Sequence, residues 1–228
     1  MKISGIIQAR TGSKRLPRKM LMEISGHKII EWVIERVKLS RKLDEVILAT
    51  SDKENDDVLA RIAEEHRIKT FRGSENDVLN RYYECAKKFG ADIVVRICAD
   101  NPLISFELID WTIDEHIKNN SEYTYSGSNE ITKWPDGFGC EISSFAVLKK
   151  LEKINPSAAE REHVYQYIWN NQAVFKIFQF QASSEYMRPD IKLDVDYIRD
   201  FEFLKSFIEK NNLHFNSKML EIIGFLNK

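Results

Sequence analysis

A chain that opens with KISGIIQA and runs straight into RTGSKRLPRK has few folds open to it. Lys2 to Ala9 reads as a short buried strand. Arg10 to Lys19 is a loop with five cations (Arg10, Lys14, Arg15, Arg18, Lys19), no acid, and Gly12, Ser13 and Pro17. From about Ile29 to Leu39 the apolar spacing predicts an amphipathic helix. Strand, basic glycine-containing loop and helix is the layout of an anion site at the carboxyl edge of an α/β sheet. Glycine lets the backbone approach a ligand, and five like charges on one loop repel one another unless an anion sits among them. Polyphosphate is the natural candidate. Neither GxxxxGK[ST] nor GxGxxG occurs, which excludes two common phosphate loops. A solvated basic loop is the plain alternative, and the position directly after the first strand speaks against it.

The same alternation continues. Strands are expected at Glu45 to Thr50, Ile68 to Phe71 and Asp92 to Ile97, and helices at Asn55 to His66, Asp77 to Phe89 and Phe106 to Asn119. Repeated units of this length predict a Rossmann-like, mostly parallel sheet flanked by helices. Right-handed crossovers then place the loops after Ala9, Thr50, Phe71 and Ile97 on one edge, where ligands bind. Beyond Asn120 the pattern changes. Short strands are expected at Glu122 to Tyr125, Cys140 to Ser143, Val174 to Phe180 and Ile191 to Val195. Helices are expected at Ser144 to Lys153, Ala158 to Asn170, Asp200 to Glu209 and Ser217 to Phe225. This is read as a small β/α insertion within one domain, 1–228. A nucleotide-binding part covers about 1–120, an acceptor or dimerisation part about 121–190, and a closing segment about 191–228.

Net charge is only −1, so the basic loop is a local feature of a balanced surface and general nucleic-acid binding is not expected. No apolar run approaches the length of a membrane span, and the N-terminus lacks the apolar core of a signal peptide. Cys85, Cys98 and Cys140 are scattered and form no CxxC, which suits a reducing cytoplasm and buried thiols.

Three aspartates stand at expected strand ends: Asp100 in CADNP, and Asp194 and Asp196 in LDVDY. Strand spacing would put the last two on one face. Carboxylates near a polyphosphate loop suggest Mg²⁺, a hard cation that takes oxygen ligands, although turns and helix caps use aspartate in the same way. In GSENDVLNR, Ser74 or Asp77 could cap the following helix and Arg81 could lie at the surface. His163, after Arg161 and Glu162, is either functional or a packed histidine, and WPDGFG (134–139) is either a turn or part of a site.

Taken together, IIQARTGSKRLPRKML, VILATSD, RGSENDVLNRYYECA, VRICADNPLI, PDGFGCE, EREHVYQYIW and LDVDY resemble the cytidylyltransferases of the spore-coat polysaccharide type. These are relatives of the enzyme that makes CMP-Kdo and of CMP-sialic acid synthetases. The segments follow the family's order over about residues 1–200. The resemblance implies a nucleotide-diphospho-sugar transferase fold and transfer of CMP from CTP to a sugar, with release of pyrophosphate, for surface polysaccharide. A keto-sugar acid is the expected acceptor, with Mg²⁺ (or Mn²⁺) as cofactor and a homodimer as the assembly. It further implies that Ala9, Arg10, Gly12, Ser13, Arg15 and Lys19 hold the nucleotide phosphates. Thr50, Ser51 and Asp52 would lie near the base, and Ser74, Asp77 and Arg81 in the nucleotide site. Asp100 and Asp196 would bind metal, with Asp194 as an alternative ligand, and Arg10, Lys19, Asp100 and Asp196 carry catalysis. Asn101, Gly137, Glu141, Glu162 and His163 would face the acceptor. The chain departs from the family at Asp194, where threonine is common. It departs also at Lys192, where arginine is usual, at Ile198-Arg199-Asp200 in place of Pro-Glu-Asp, and at His27. Use of another NTP or a phosphorylated acceptor, or a nucleotide-binding protein without activity, are the competing expectations.

Overall fold

The computed structural model describes residues 1–226. One seven-stranded sheet organises them. In chain order the elements are β1 (Ile3–Gln8), β2 (Glu23–Ile24), β3 (His27–Lys28), α1 (Ile29–Val37), β4 (Glu45–Ser51), α2 (Asp57–Glu65), β5 (Lys69–Gly73), α3 (Val78–Phe89), β6 (Ile93–Cys98) and α4 (Phe106–Asn119). There follow β7 (Tyr123–Tyr125), β8 (Glu141–Ser144), α5 (Phe145–Ile154), α6 (Ala158–Glu162), α7 (Gln166–Asn170), β9 (Ile177–Gln179), α8 (Ile198–Lys210) and α9 (Met219–Leu226). The sheet order is β5-β4-β1-β6-β8-β7-β9. The β5, β4, β1 and β6 strands are parallel neighbours, as the alternation predicts. β8 runs antiparallel to both β6 and β7, and β9 is parallel to β7.

The central strands read as continuous apolar runs because both faces are covered. In β1, Ile3 and Ile7 join the core beneath α1 and α4, while Ile6 joins the opposite core with Leu79, Tyr82 and Leu148. β6 alternates in the same way, with Val95 and Ile97 on one side and Val94 on the other. Arg36 of α1 is wholly buried. It donates to the carbonyls of Ile104, Phe215 and Ser217, which ties the first helix to the loop after β6 and to the C-terminal segment. Burial of this guanidinium lowers its pKa to about 10.

Three expectations are corrected. The helix foreseen over Ala158 to Asn170 is two short helices, broken at His163–Tyr165. Val164 adopts φ 58 and is fully buried, as is Tyr165, whose hydroxyl lies 2.7 Å from Ser143 Oγ. Burial of these side chains outweighs continuation of the helix, and a β-branched residue held at positive φ marks a position fixed by its surroundings. The strand foreseen at Ile191 to Val195 is one bridge, Asp136 with Lys192, so Asp194 and Asp196 do not share a strand face. The Val174 to Phe180 strand shortens to β9, preceded by a 3-10 turn at Gln172–Val174. The small hairpin β2–β3, with Ser25 and Gly26 at positive φ in its turn, was not foreseen.

Candidate active site

The loop after β1 lies at the carboxyl edge of the parallel strands and lines a cleft of about 370 Å³. Ala9, Arg10, Ser13, Arg15, Lys19 and Asp100 contribute to its wall. A buried carboxylate fixes the root of this loop. Asp56 accepts from the Thr11 N–H at 2.7 Å, from the Thr11 hydroxyl at 2.6 Å and from the Ser51 hydroxyl at 2.5 Å. Burial alone would raise the Asp56 carboxyl, but these donors outweigh it and hold it below its usual value. Thr50 and Ser51 therefore stand with fully buried side chains, and Ser51 is committed to Asp56. Neither residue presents surface to a base in this arrangement, the place that the resemblance implies for both. Asp52 is exposed at the same strand end. Gly12 lies against a neighbouring groove with Asp56 and Glu75, where a Cβ would come within 2.8 Å of Glu75 Oε1.

The 3-10 turn Lys19–Leu21 buries Lys19 and aims its ammonium inward. Its Nζ lies 2.8 Å from Asp100 Oδ2 and 3.6 Å from Asp196 Oδ1, and donates to the Val195 carbonyl at 2.6 Å. Arg15 reaches Asp196 at 2.7 Å, and its guanidinium sits over the Tyr197 ring. Arg10 pairs with Glu162 at 3.1 Å and donates to the Glu75 carbonyl. Lys14 has no ion pair or hydrogen bond among the described residues. Asp100 and Asp196, 96 positions apart in the chain, thus converge on one ammonium, as the sequence pattern suggests. Asp194 turns away. It pairs with Lys192 at 2.9 Å and lies near Asp136.

Three oxygens already gathered around an ammonium are a donor set that suits a hard divalent cation. Among the described residues no cluster of three or more His, Cys, Asp or Glu side chains forms a ready-made metal cage.

Ser74, Asp77 and Arg81 are brought together as a scaffold. Ser74 Oγ accepts from the Asp77 N–H, and Asp77 caps α3 by accepting from the Asn80 N–H. Asp77 also pairs with Arg161 at 2.8 Å. Arg81 is buried, not superficial, and donates to the Ser74 carbonyl at 2.6 Å. Burial lowers its pKa.

A second cleft of about 420 Å³ meets the first at Cys98. Asn101, Gly137, Glu141 and His163 line it together, while Glu162 stands in the first cleft beside Arg10. The register of β6 against β8 places Arg96 directly across from Glu141, and the two form an ion pair that the Tyr123 hydroxyl joins. Sequence reasoning missed Arg96, although a cation inside a buried strand always demands a partner. It also missed Asp56 and Asp136. Burial pushes the Cys98 thiol up to about 11 and Cys85 and Cys140 to about 12, so none is a thiolate nucleophile.

Comparison with known proteins agrees with this geometry. Residues 4–221 match the cytidylyltransferase family. A protein of Methanocaldococcus jannaschii without an assigned activity is 40% identical, with 100% of this chain and 91% of the relative covered. The spore coat polysaccharide biosynthesis protein SpsF of Bacillus subtilis is 31% identical, covering 98% and 93%. A shorter match, 39% identical over 113 residues and covering 48% and 44%, is to the 3-deoxy-manno-octulosonate cytidylyltransferase of Bdellovibrio bacteriovorus. Among solved structures, a cytidylyltransferase of Leptospira borgpetersenii superposes with a TM-score of 0.93 at 32% identity, covering 100% and 94%. The Rossmann-like sheet, the basic loop after its first strand and the full-length matches have one meaning: this chain belongs to the cytidylyltransferase family and is a nucleotidyltransferase.

Proposed function

We propose that the protein transfers CMP from CTP to a hydroxyl group of a sugar acceptor and releases pyrophosphate. A keto-sugar acid is the acceptor class favoured by the resemblance to enzymes that act on 3-deoxy-manno-octulosonate. The observation that carries this reading is the junction of the two clefts at Cys98. There a cation-lined pocket walled by Lys19 and Asp100, with Asp196 3.6 Å from the Lys19 ammonium, adjoins a sugar-sized pocket that begins at Asn101.

The triphosphate lies along Arg10, Gly12, Ser13, Lys14 and Arg15. Each cation now held by Asp100, Asp196 or Glu162 exchanges its carboxylate for phosphate oxygens. Lys19 moves its ammonium from the aspartates to the departing pyrophosphate. Asp100 and Asp196 would then hold Mg²⁺, or Mn²⁺ as the alternative, whose chemistry when bound would be to neutralise phosphate charge and polarise the acceptor hydroxyl. The acceptor lies in the second cleft with its hydroxyl in line with the α-phosphorus. That hydroxyl oxygen forms the new P–O bond as the bond to the β-phosphate breaks. Positioning and charge neutralisation supply the acceleration, without a covalent intermediate. The single-domain division into nucleotide, acceptor and closing parts belongs to this reading, as does a homodimer in the cytoplasm. No helix of the described residues is long and apolar enough to cross a membrane.

The test is pyrophosphate release with each of four NTPs, Mg²⁺ and a panel of sugar acids, neutral sugars and sugar phosphates. Release that needs both CTP and a sugar is expected. Equal release with any NTP, or release without a sugar, would contradict it.

A further inference from the structure

One carboxylate of the second cleft is left without a partner. Glu141 is spoken for by Arg96 and the Tyr123 hydroxyl. Asp136, on the same wall, has no ion pair and no side-chain hydrogen bond among the described residues. The adjacent Gly137 N–H and the charge of Lys192, itself paired with Asp194, favour its ionised form. Its backbone is nonetheless pinned on both sides: its N–H donates to the Ile191 carbonyl at 2.9 Å, and its carbonyl accepts from the Leu193 N–H at 3.0 Å. The next residue, Gly137, has φ 92 and packs so closely that a Cβ would lie 2.8 Å from the Leu193 backbone. A half-buried carboxylate set so rigidly and left open toward a cleft costs stability unless a ligand donates to it.

We propose that Asp136 is the residue that reads the acceptor sugar, accepting hydrogen bonds from hydroxyl groups of its polyol chain. This rests on the cytidylyl-transfer reading for the identity of the cleft. An ionised carboxylate only accepts, so its partners must be O–H or N–H donors, and two oxygens on one carbon suit a pair of neighbouring hydroxyls. Asn101 and Gln166 line the same space, and Trp169, standing edge-on to Tyr125 at 5.3 Å, gives it an aromatic wall. Burial first and Asp194 second raise the Asp136 carboxyl, against the Gly137 N–H and Lys192, and the carboxylate itself repels an anionic acceptor group. Arg96 offers no relief, because Glu141 already neutralises it. Orientation follows. The carboxylate of a keto-sugar acid lies away from Asp136, toward the cation-rich junction, and the hydroxylated tail extends into the cleft. A bare keto acid without hydroxyls is rejected.

The experiment uses the full chain saturated with CTP carrying a methylene bridge between its α- and β-phosphates, which binds but cannot react. Binding of 3-deoxy-manno-octulosonate, its C1 alcohol, neutral hexoses and pyruvate is read by saturation-transfer NMR and calorimetry. At least one hydroxylated sugar is expected to bind and pyruvate is not. Asp136→Asn should weaken that sugar at least tenfold and Asp136→Leu further, with the affinity for the CTP analogue and the melting temperature unchanged. Failure of every hydroxylated sugar to bind, or equal affinity in wild type and both variants, overturns the proposal. With natural CTP the two readings separate. Sugar binding that depends on Asp136 without pyrophosphate release sinks cytidylyl transfer and leaves Asp136 standing. Wild-type turnover and acceptor KM in Asp136→Leu sink Asp136 and leave transfer standing.

Discussion

In the first cleft, proposed for the nucleotide, Lys14 has no ion pair among the described residues. Arg10, Arg15 and Lys19 are held by carboxylates that line the same cleft or its edge. In the second cleft, proposed for the acceptor, Arg96 and Glu141 face each other across adjacent strands and neutralise each other. The two halves use charge for different ends. A cleft that captures a polyanion keeps its cations in pairs that can be exchanged, so the ligand replaces one partner with another and little desolvation is left uncompensated. The second cleft locks its cation away, and in the proposed reading neutral amides and a single carboxylate are left to recognise hydroxyl groups. The chain order reflects this. The exchangeable cations sit on one loop, whereas the locked pair needs a strand register that joins positions 96 and 141.

Four changes would break or sharpen that contrast. The largest effect is expected at the shared aspartates. Asp100→Asn or Asp196→Asn should lower turnover on the order of 10³-fold while the melting temperature stays within a few degrees, since asparagine keeps an acceptor oxygen at each place and Lys19 keeps the Val195 carbonyl. Near-normal pyrophosphate release in either variant would remove the cation site. Glu141→Gln is expected to act through the fold, because it strands Arg96 in a mostly buried place. A loss of about 3 kcal/mol in denaturant unfolding is predicted, with CTP affinity in the remaining folded protein unaltered. Gly137→Ala forces a side chain onto the 193–194 backbone at positive φ. About 1–3 kcal/mol of destabilisation and a raised acceptor KM are expected, and an unchanged KM would detach the turn from the site.

The smallest effect concerns pH. His116 is buried against Thr124, and burial lowers its pKa to about 4. The unfolded chain takes up a proton near pH 6.5 and the folded one only near pH 4, so this stabilisation is full above pH 6.5 and fades as pH falls through that window. About 1 kcal/mol should be lost between pH 7 and 5.5. In His116→Gln that part of the pH dependence of unfolding should vanish, and an unchanged slope would refute the assignment.

The same contrast explains what could be read from the chain. The parallel half was legible because buried strands are continuous apolar runs and each is followed by a helix of 3.6-residue period. The loop after β1 announced itself by uncompensated charge. The place of Asp100 followed from topology, whereas Asp196 joined it through the resemblance alone, since the strand expected to carry it is one bridge. In the other half, position 164 reads as an ordinary helix residue, and only burial of Val164 and Tyr165 breaks the helix there. Asp194 and Asp196 look like neighbours on a strand face, but one bridge at Lys192 is too little ladder to impose that alternation, and they part to Lys192 and to Arg15. Asp56 was hidden as one polar residue among several at a helix start. Its importance comes from the depth at which Thr11 and Ser51 meet it.

The account's central claim is that the cations of the first cleft are exchangeable and belong to the triphosphate. Calorimetric affinities of CTP and of cytidine, measured in the presence of Mg²⁺ for the wild type and for a Lys14→Ala, Arg15→Ala double variant, test it most directly. CTP is predicted to bind wild type at least 100-fold more tightly than cytidine, and the double variant should lose most of that difference while its cytidine affinity is unchanged. Equal affinities for CTP and cytidine in wild type, or an undiminished difference in the variant, would contradict the claim.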